Sequence, residues 1–176
     1  MSARSPHRYH PAARSGTAMK LPSPPVLLRT SWDTLHRVPG GKRAFSKMVG
    51  RMAPYTGTID ATVVELRRGY ARAELADRKA VRNHLGSVHA IALANFGEVV
   101  SGVGMLYSLP SGMRGILTGL DVAYLKKARG LLTATVTFEP ITARERQQAT
   151  FEVEIRDPAE QLCCVVRPQW LLGPEG

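Results

Sequence analysis

The chain has 176 residues, enough for one domain with one core and a small N-terminal addition. Its formal net charge of +10 points first to nucleic acid, but the cations are scattered and aromatics make up only 6%. The basic–aromatic interleaving of single-strand binders is missing, so no nucleic-acid partner is expected; an anionic small ligand accounts for the charge equally well.

Residues 1–22 lack periodic apolar spacing and carry Arg4, Arg8, Arg14 and Lys20, which predicts a disordered basic tail. From Pro24, residues Val26, Leu27, Trp32, Leu35 and Val38 recur at helical spacing until Pro39-Gly40-Gly41. A second helix from Lys42 to Met52 aligns Phe45, Met48, Val49 and Met52, and Pro54 closes it. Residues 23–55 thus read as a helical hairpin covering a domain at 56–176, with an acyl-facing role as a further reading.

The period then changes. Thr58–Arg67 and Tyr70–Leu75 alternate as strands around an Arg68-Gly69 turn. Val88–Leu109 forms the one long helix, apolar on nearly every side. Strands follow at Ile116–Leu125, Leu131–Phe138, Thr150–Arg156 and Cys163–Trp170, with the Thr142–Gln147 stretch as one of the connections. Strands, one buried helix and a further series of strands predict an α+β fold, an antiparallel sheet wrapped around a single central helix. The adjacent Cys163 and Cys164 point to opposite faces of a strand, which predicts one buried and one exposed thiol in a reducing compartment. No zinc-ligand spacing, phosphate loop or nucleophile elbow occurs, and no metal is expected. The glycines, Asn95, His89 and Glu98 of the central helix fit a buried helix better than a membrane span, and a cytoplasmic protein without a membrane partner is expected.

Chemistry concentrates in Asn83–Glu98. Glu98 is the only charged side chain between Val88 and Leu109, and a lone carboxylate in an apolar helix is costly to bury. At the other end, Ser87 is the expected N-cap, followed by His89 and Ala90 in the first turn. Free amide N–H groups there suit a carbonyl oxygen or an oxyanion, and Asn83 and His84 add side-chain donors. Ala90 and Glu98 are eight residues apart, about 12 Å of helical rise, so one ester or thioester carbonyl cannot touch both within one chain. If the two ends cooperate, the helix start of one subunit meets Glu98 of another across a two-fold axis.

Asn83, Gly86, His89 and Ala90, with an acid nine positions after the histidine, resemble the hotdog-fold thioesterases of the phenylacetic-acid-pathway type. The segment Asp121–Gly130 is similar to that family's strand ending in tyrosine, a basic residue and a small-residue turn. The resemblance spans roughly residues 57–172. Ala90 stands where the family usually has glycine, Glu98 where it often has aspartate, and Lys127 where proline is common. The resemblance implies metal-independent hydrolysis of acyl-CoA thioesters by a homodimer, or a dimer of dimers. No cofactor is implied beyond the coenzyme A of the substrate. The Ala90 amide, helped by Asn83, would polarise the carbonyl, and Glu98 would act as general base or nucleophile. His89 would orient the helix start, Gly86 would shape the loop, and Thr118 would hold the water. Lys126, Lys127 and Arg129 would meet the phosphates. Two alternatives stand beside this reading: a non-catalytic hotdog module binding acyl-CoA or another hydrophobic ligand, and a hydroxyacyl dehydratase or hydratase suggested by the His84–Glu98 spacing.

Overall fold

The computed structural model describes residues 23–142 and 144–175, so the basic tail expected at 1–22 lies outside the described residues. Helices α1 (Pro24–Leu35), α2 (Gly41–Met52) and the single turn α3 (Pro54–Gly57) precede the hairpin β1 (Thr62–Arg67) and β2 (Tyr70–Ala76). Helix α4 (Ala90–Ser108) follows, then β3 (Met113–Tyr124), β4 (Leu131–Thr137), β5 (Gln147–Thr150), β6 (Val153–Arg156) and β7 (Leu162–Pro174). All strand pairs are antiparallel, in the order β1-β2-β4-β6-β7-β3, with β5 on the same side of β7 as β6. The expected α+β architecture, a sheet curled around one long helix behind N-terminal helices, is the architecture observed.

The inner face of the sheet is built by alternation. Ala73 of β2 pairs with Ala134 of β4, which pairs with Ile155 of β6, which pairs with Cys164 of β7. All four are buried against the helix side. Helix α4 fills the concavity, with twelve of its 19 residues buried, which explains why its length and apolarity would also suit a membrane span. Close approach depends on Gly97: a Cβ there would stand 2.4 Å from the Cβ of Val166. The far end of the helix is tied down by polar groups. Arg29 donates to the Leu109 carbonyl at 2.6 Å, and the Ser108 hydroxyl accepts from the Gly69 amide at 2.9 Å.

Several local expectations are corrected. Leu28 and Trp32 form the buried face of α1, while Val26 and Val38 are exposed, and Met52 of α2 is exposed too. Leu28, Trp32 and Phe45 of the two helices pack into the single core. Strand β1 starts at Thr62 instead of Thr58: Asp60 adopts φ 55° in the intervening turn, a conformation no strand continues through. The strand expected over Thr150–Arg156 is interrupted at Phe151–Glu152, and Gln147 already belongs to β5. Both cysteines are buried, not one. The Cys163 thiol donates to the Gln161 carbonyl at 3.5 Å, and its carbonyl accepts from the Leu125 and Lys126 amides just past the end of β3.

Candidate functional site

The start of α4 is held by a small polar loop. Asn83 and Ser87 close it backbone to backbone at 2.9 Å, and Gly86 turns the chain at φ 68°, where a side chain would be strained. The Asn83 side-chain oxygen accepts from the Leu85 amide at 2.9 Å and from the Ser87 amide and hydroxyl at 3.3 Å. That bond takes Ser87 away from the helix. The N-cap is His89, whose Nδ1 accepts from the Ile91 amide at 3.1 Å, and Ser87 is buried beneath the loop. An Nδ1 acceptor places the proton of a neutral ring on Nε2. Ala90 is therefore the first helical residue, and its N–H has no partner among the described residues.

Two residues from the β3–β4 region brace this start. The Tyr124 hydroxyl donates to the Ala90 carbonyl at 3.0 Å. Arg129 donates to the carbonyls of Gly86 at 3.1 Å and Leu85 at 3.3 Å. The Asn83 amide nitrogen, not its oxygen, is the group left for a ligand.

Glu98 lies more than two turns further along α4. Its carboxylate has neither a hydrogen-bond nor a cation partner among the described residues, and burial alone raises its pKa. One oxygen sits above Gly102, where a Cβ would stand 3.9 Å from it and 3.4 Å from the Trp170 ring. Trp170 donates from its ring N–H to the Ser101 hydroxyl at 3.2 Å, and Ser101 donates to the Glu98 carbonyl at 2.8 Å. The indole is thus fixed as the wall beside the carboxylate. Ile91, Asn95 and Glu98 fall on one stripe of α4 that the sheet leaves uncovered, with Ile91 53% exposed.

The structure brings Asn83, Gly86, His89, Ala90 and Arg129 to one place and leaves Glu98 apart from them. Thr118 sits on the outer strand β3, at its bulge, donating to the Gln169 carbonyl at 3.1 Å. Lys126 is held by Asp157 at 2.7 Å and by Gln161, whereas Lys127 is exposed with no partner among the described residues. Met105 packs into the core against Gly115. Sequence reasoning missed Trp170 and the bracing roles of Tyr124 and Arg129. The tyrosine at a strand end was the only available signal. Among the described residues no three side chains of the metal-ligating kind converge.

No curated protein matches the sequence. A crystal structure from a structural-genomics programme is 31% identical, covers 85% of this chain and 99% of its own, and superposes with a TM-score of 0.73. A thioesterase from Staphylococcus aureus, crystallised with a glutamine changed to alanine, is 19% identical over 69% of this chain and 99% of its own, at TM-score 0.61. A protein described as a probable thioesterase, from Pseudomonas aeruginosa, is 17% identical over 78% and 97%, at TM-score 0.66. These neighbours identify the fold as the hotdog fold. The family described as Domain of unknown function (DUF4442) matches residues 41–172, from the start of α2 into β7, and the chain belongs to that family.

Proposed function

We propose that the chain is an acyl-CoA thioesterase that works as a homodimer in the cytoplasm. The observation that carries this reading is Glu98, an unpaired carboxylate on the uncovered stripe of an otherwise uncharged helix, with its pKa raised by burial. A carboxylate kept without a partner is a poor stabiliser and a good base. Glu98 takes the proton of a water that attacks the thioester carbonyl, or attacks that carbon itself. The Ala90 N–H of the partner subunit stabilises the oxyanion, with the Asn83 amide beside it. Coenzyme A leaves as the thiolate and takes up the proton that Glu98 gained from water; after direct attack, water hydrolyses the acyl-Glu98 anhydride and supplies that proton. Lys127, without a partner among the described residues, meets its phosphates, while Lys126 and Arg129 shape the surface around it.

Two further facts support the reading. The S. aureus thioesterase has been crystallised with its glutamine replaced and, separately, with a glutamate fifteen positions later replaced; Asn83 and Glu98 also stand fifteen apart. The resemblance to the phenylacetic-acid-pathway enzymes rests on the same residues. The dimer is supported by β3, an outer strand of 12 residues with Ile116 and Leu120 50% and 40% exposed. An apolar edge of that length invites pairing with a second copy.

The test is thiol release from a panel of acyl-CoAs by the purified protein. Glu98→Gln is expected to lower the rate by at least about a hundredfold, as for loss of a general base. Tight acyl-CoA binding with no turnover at any chain length would overturn the enzyme reading in favour of a binding module.

A further inference from the structure

The N-terminal helices border a half-open cavity of about 530 Å³ between α2, α3, the β1–β2 hairpin and one flank of α4. Its volume lies within the range of small-molecule sites, about 300–1,000 Å³. Val49 of α2, Val63 and Ala73 of the hairpin, and Val99 and Val100 of α4 form the wall, with Ala61 beside them and no aromatic ring in the lining. Glu98 is not part of that wall. Val99, one residue on, points about 100° around the helix from it.

The interior offers water little. Its one serine, Ser46, already donates to the Lys42 carbonyl at 2.8 Å and accepts from the Val63 amide at 2.9 Å. Thr58 donates to the Tyr55 carbonyl at 2.6 Å, which leaves Thr56 as the one hydroxyl of the lining without a partner among the described residues. A space walled mainly by aliphatic groups suits a flexible hydrocarbon chain. The rim is different. Lys47 pairs with Asp60 at 2.6 Å, and Arg43 and Arg78 add their fields, which together hold the Asp60 carboxyl below the usual range. Arg51, also at the rim, is exposed and has no partner among the described residues. Three cations thus act on one carboxylate, and the Arg51 guanidinium lining the same cavity is left for a ligand.

We propose that this cavity binds one long-chain aliphatic carboxylate, its chain between α2 and α4 and its head group on Arg51. The site is separate from Glu98 and stands whether or not Glu98 hydrolyses thioesters. A guanidinium recognises a carboxylate through paired charge-assisted hydrogen bonds, and the neutralised head then closes the apolar cavity.

The full-length protein is titrated with dodecanoate and tetradecanoate by displacement of a fluorescent polyene fatty acid, with dodecanol as the uncharged counterpart. Saturable binding is expected, with dodecanoate preferred over dodecanol by about tenfold, the size of one charge-assisted contact. Ala61→Phe, which fills the cavity, is expected to weaken both ligands by at least about tenfold, as loss of a buried apolar contact predicts. Arg51→Glu removes the preference for the carboxylate and leaves dodecanol binding in place. If Ala61→Phe lowers the melting temperature, the exposed Arg51→Glu carries the test alone. Glu98→Gln leaves all of this binding unchanged. The proposal is overturned by absence of saturable binding, by equal affinity for acid and alcohol, or by binding lost in Glu98→Gln. Association with anionic vesicles in place of the monomeric carboxylate would overturn it too, and would assign the cations of α2 to a membrane surface.

Discussion

The two stations of α4 are built on opposite principles. At the helix start every brace is engaged: His89 caps Ile91, Asn83 gathers Leu85 and Ser87, Arg129 holds the loop carbonyls, and Tyr124 holds the Ala90 carbonyl. At Glu98 the main chain is equally well held, through Ser101 and Trp170, but the carboxylate itself is left without a partner. The contrast teaches how to separate positioning from chemistry. Groups that satisfy each other hold a geometry, whereas a half-buried charge that nothing satisfies is retained for what it does to something else.

The sharpest way to break the contrast is at Glu98. Glu98→Gln is expected to cost at least about a hundredfold in thioester hydrolysis while leaving the thermal melt unchanged or raised, since an unpaired buried charge is removed. Equal losses of activity and of stability would make Glu98 structural. Next in size is the shared site. Ile116→Lys together with Leu120→Lys puts like charges on the β3 edge; light scattering should then report a monomer, and activity should fall by at least about tenfold as the two stations separate. A monomer of full activity would remove the composite site.

Positioning residues come next. Tyr124→Phe deletes one hydrogen bond, about 1 kcal/mol, and should slow turnover by roughly threefold to tenfold with little change in KM. Asn83→Ala should lower unfolding stability by about 1 kcal/mol in denaturant titration, because three donors of the loop lose their acceptor. The smallest effect is a pH dependence. The folded pKa of Glu98 is raised above its ordinary 4.5, so within that window the native protein keeps a proton that the unfolded chain has lost. Native stability from this group is complete below 4.5 and is lost as pH rises through the raised value. Unfolding free energies of parent and Glu98→Gln should therefore diverge across that window, in favour of glutamine, and run parallel outside it.

Much of this was legible in the chain itself. The alternation of β2 and β4 and the unbroken apolarity of α4 lead to a sheet around a helix, because burial period depends on backbone geometry alone. The identity of Glu98 as the odd residue was legible for the same reason. The cap was not. Ser87 and His89 both suit an N-cap, and the choice went to His89 because Asn83 recruits Ser87 from outside the helix. The burial of both cysteines, the interruption between β5 and β6, and the exposure of Val38 and Met52 depend on which segment crosses which face, and local spacing does not carry that.

Sequence alone therefore determined the main helices, most of the strands, their order and the singularity of one acid along α4, since each follows from neighbours along the chain. Tertiary structure decided which polar groups find partners and which do not. It placed Tyr124 and Arg129 behind the helix start, set Trp170 beside Glu98, and opened a cavity under α2 whose walls come from positions as distant as Val49 and Val100. Pairing and cavity shape are sums over residues remote in sequence, and only the folded chain brings those terms together.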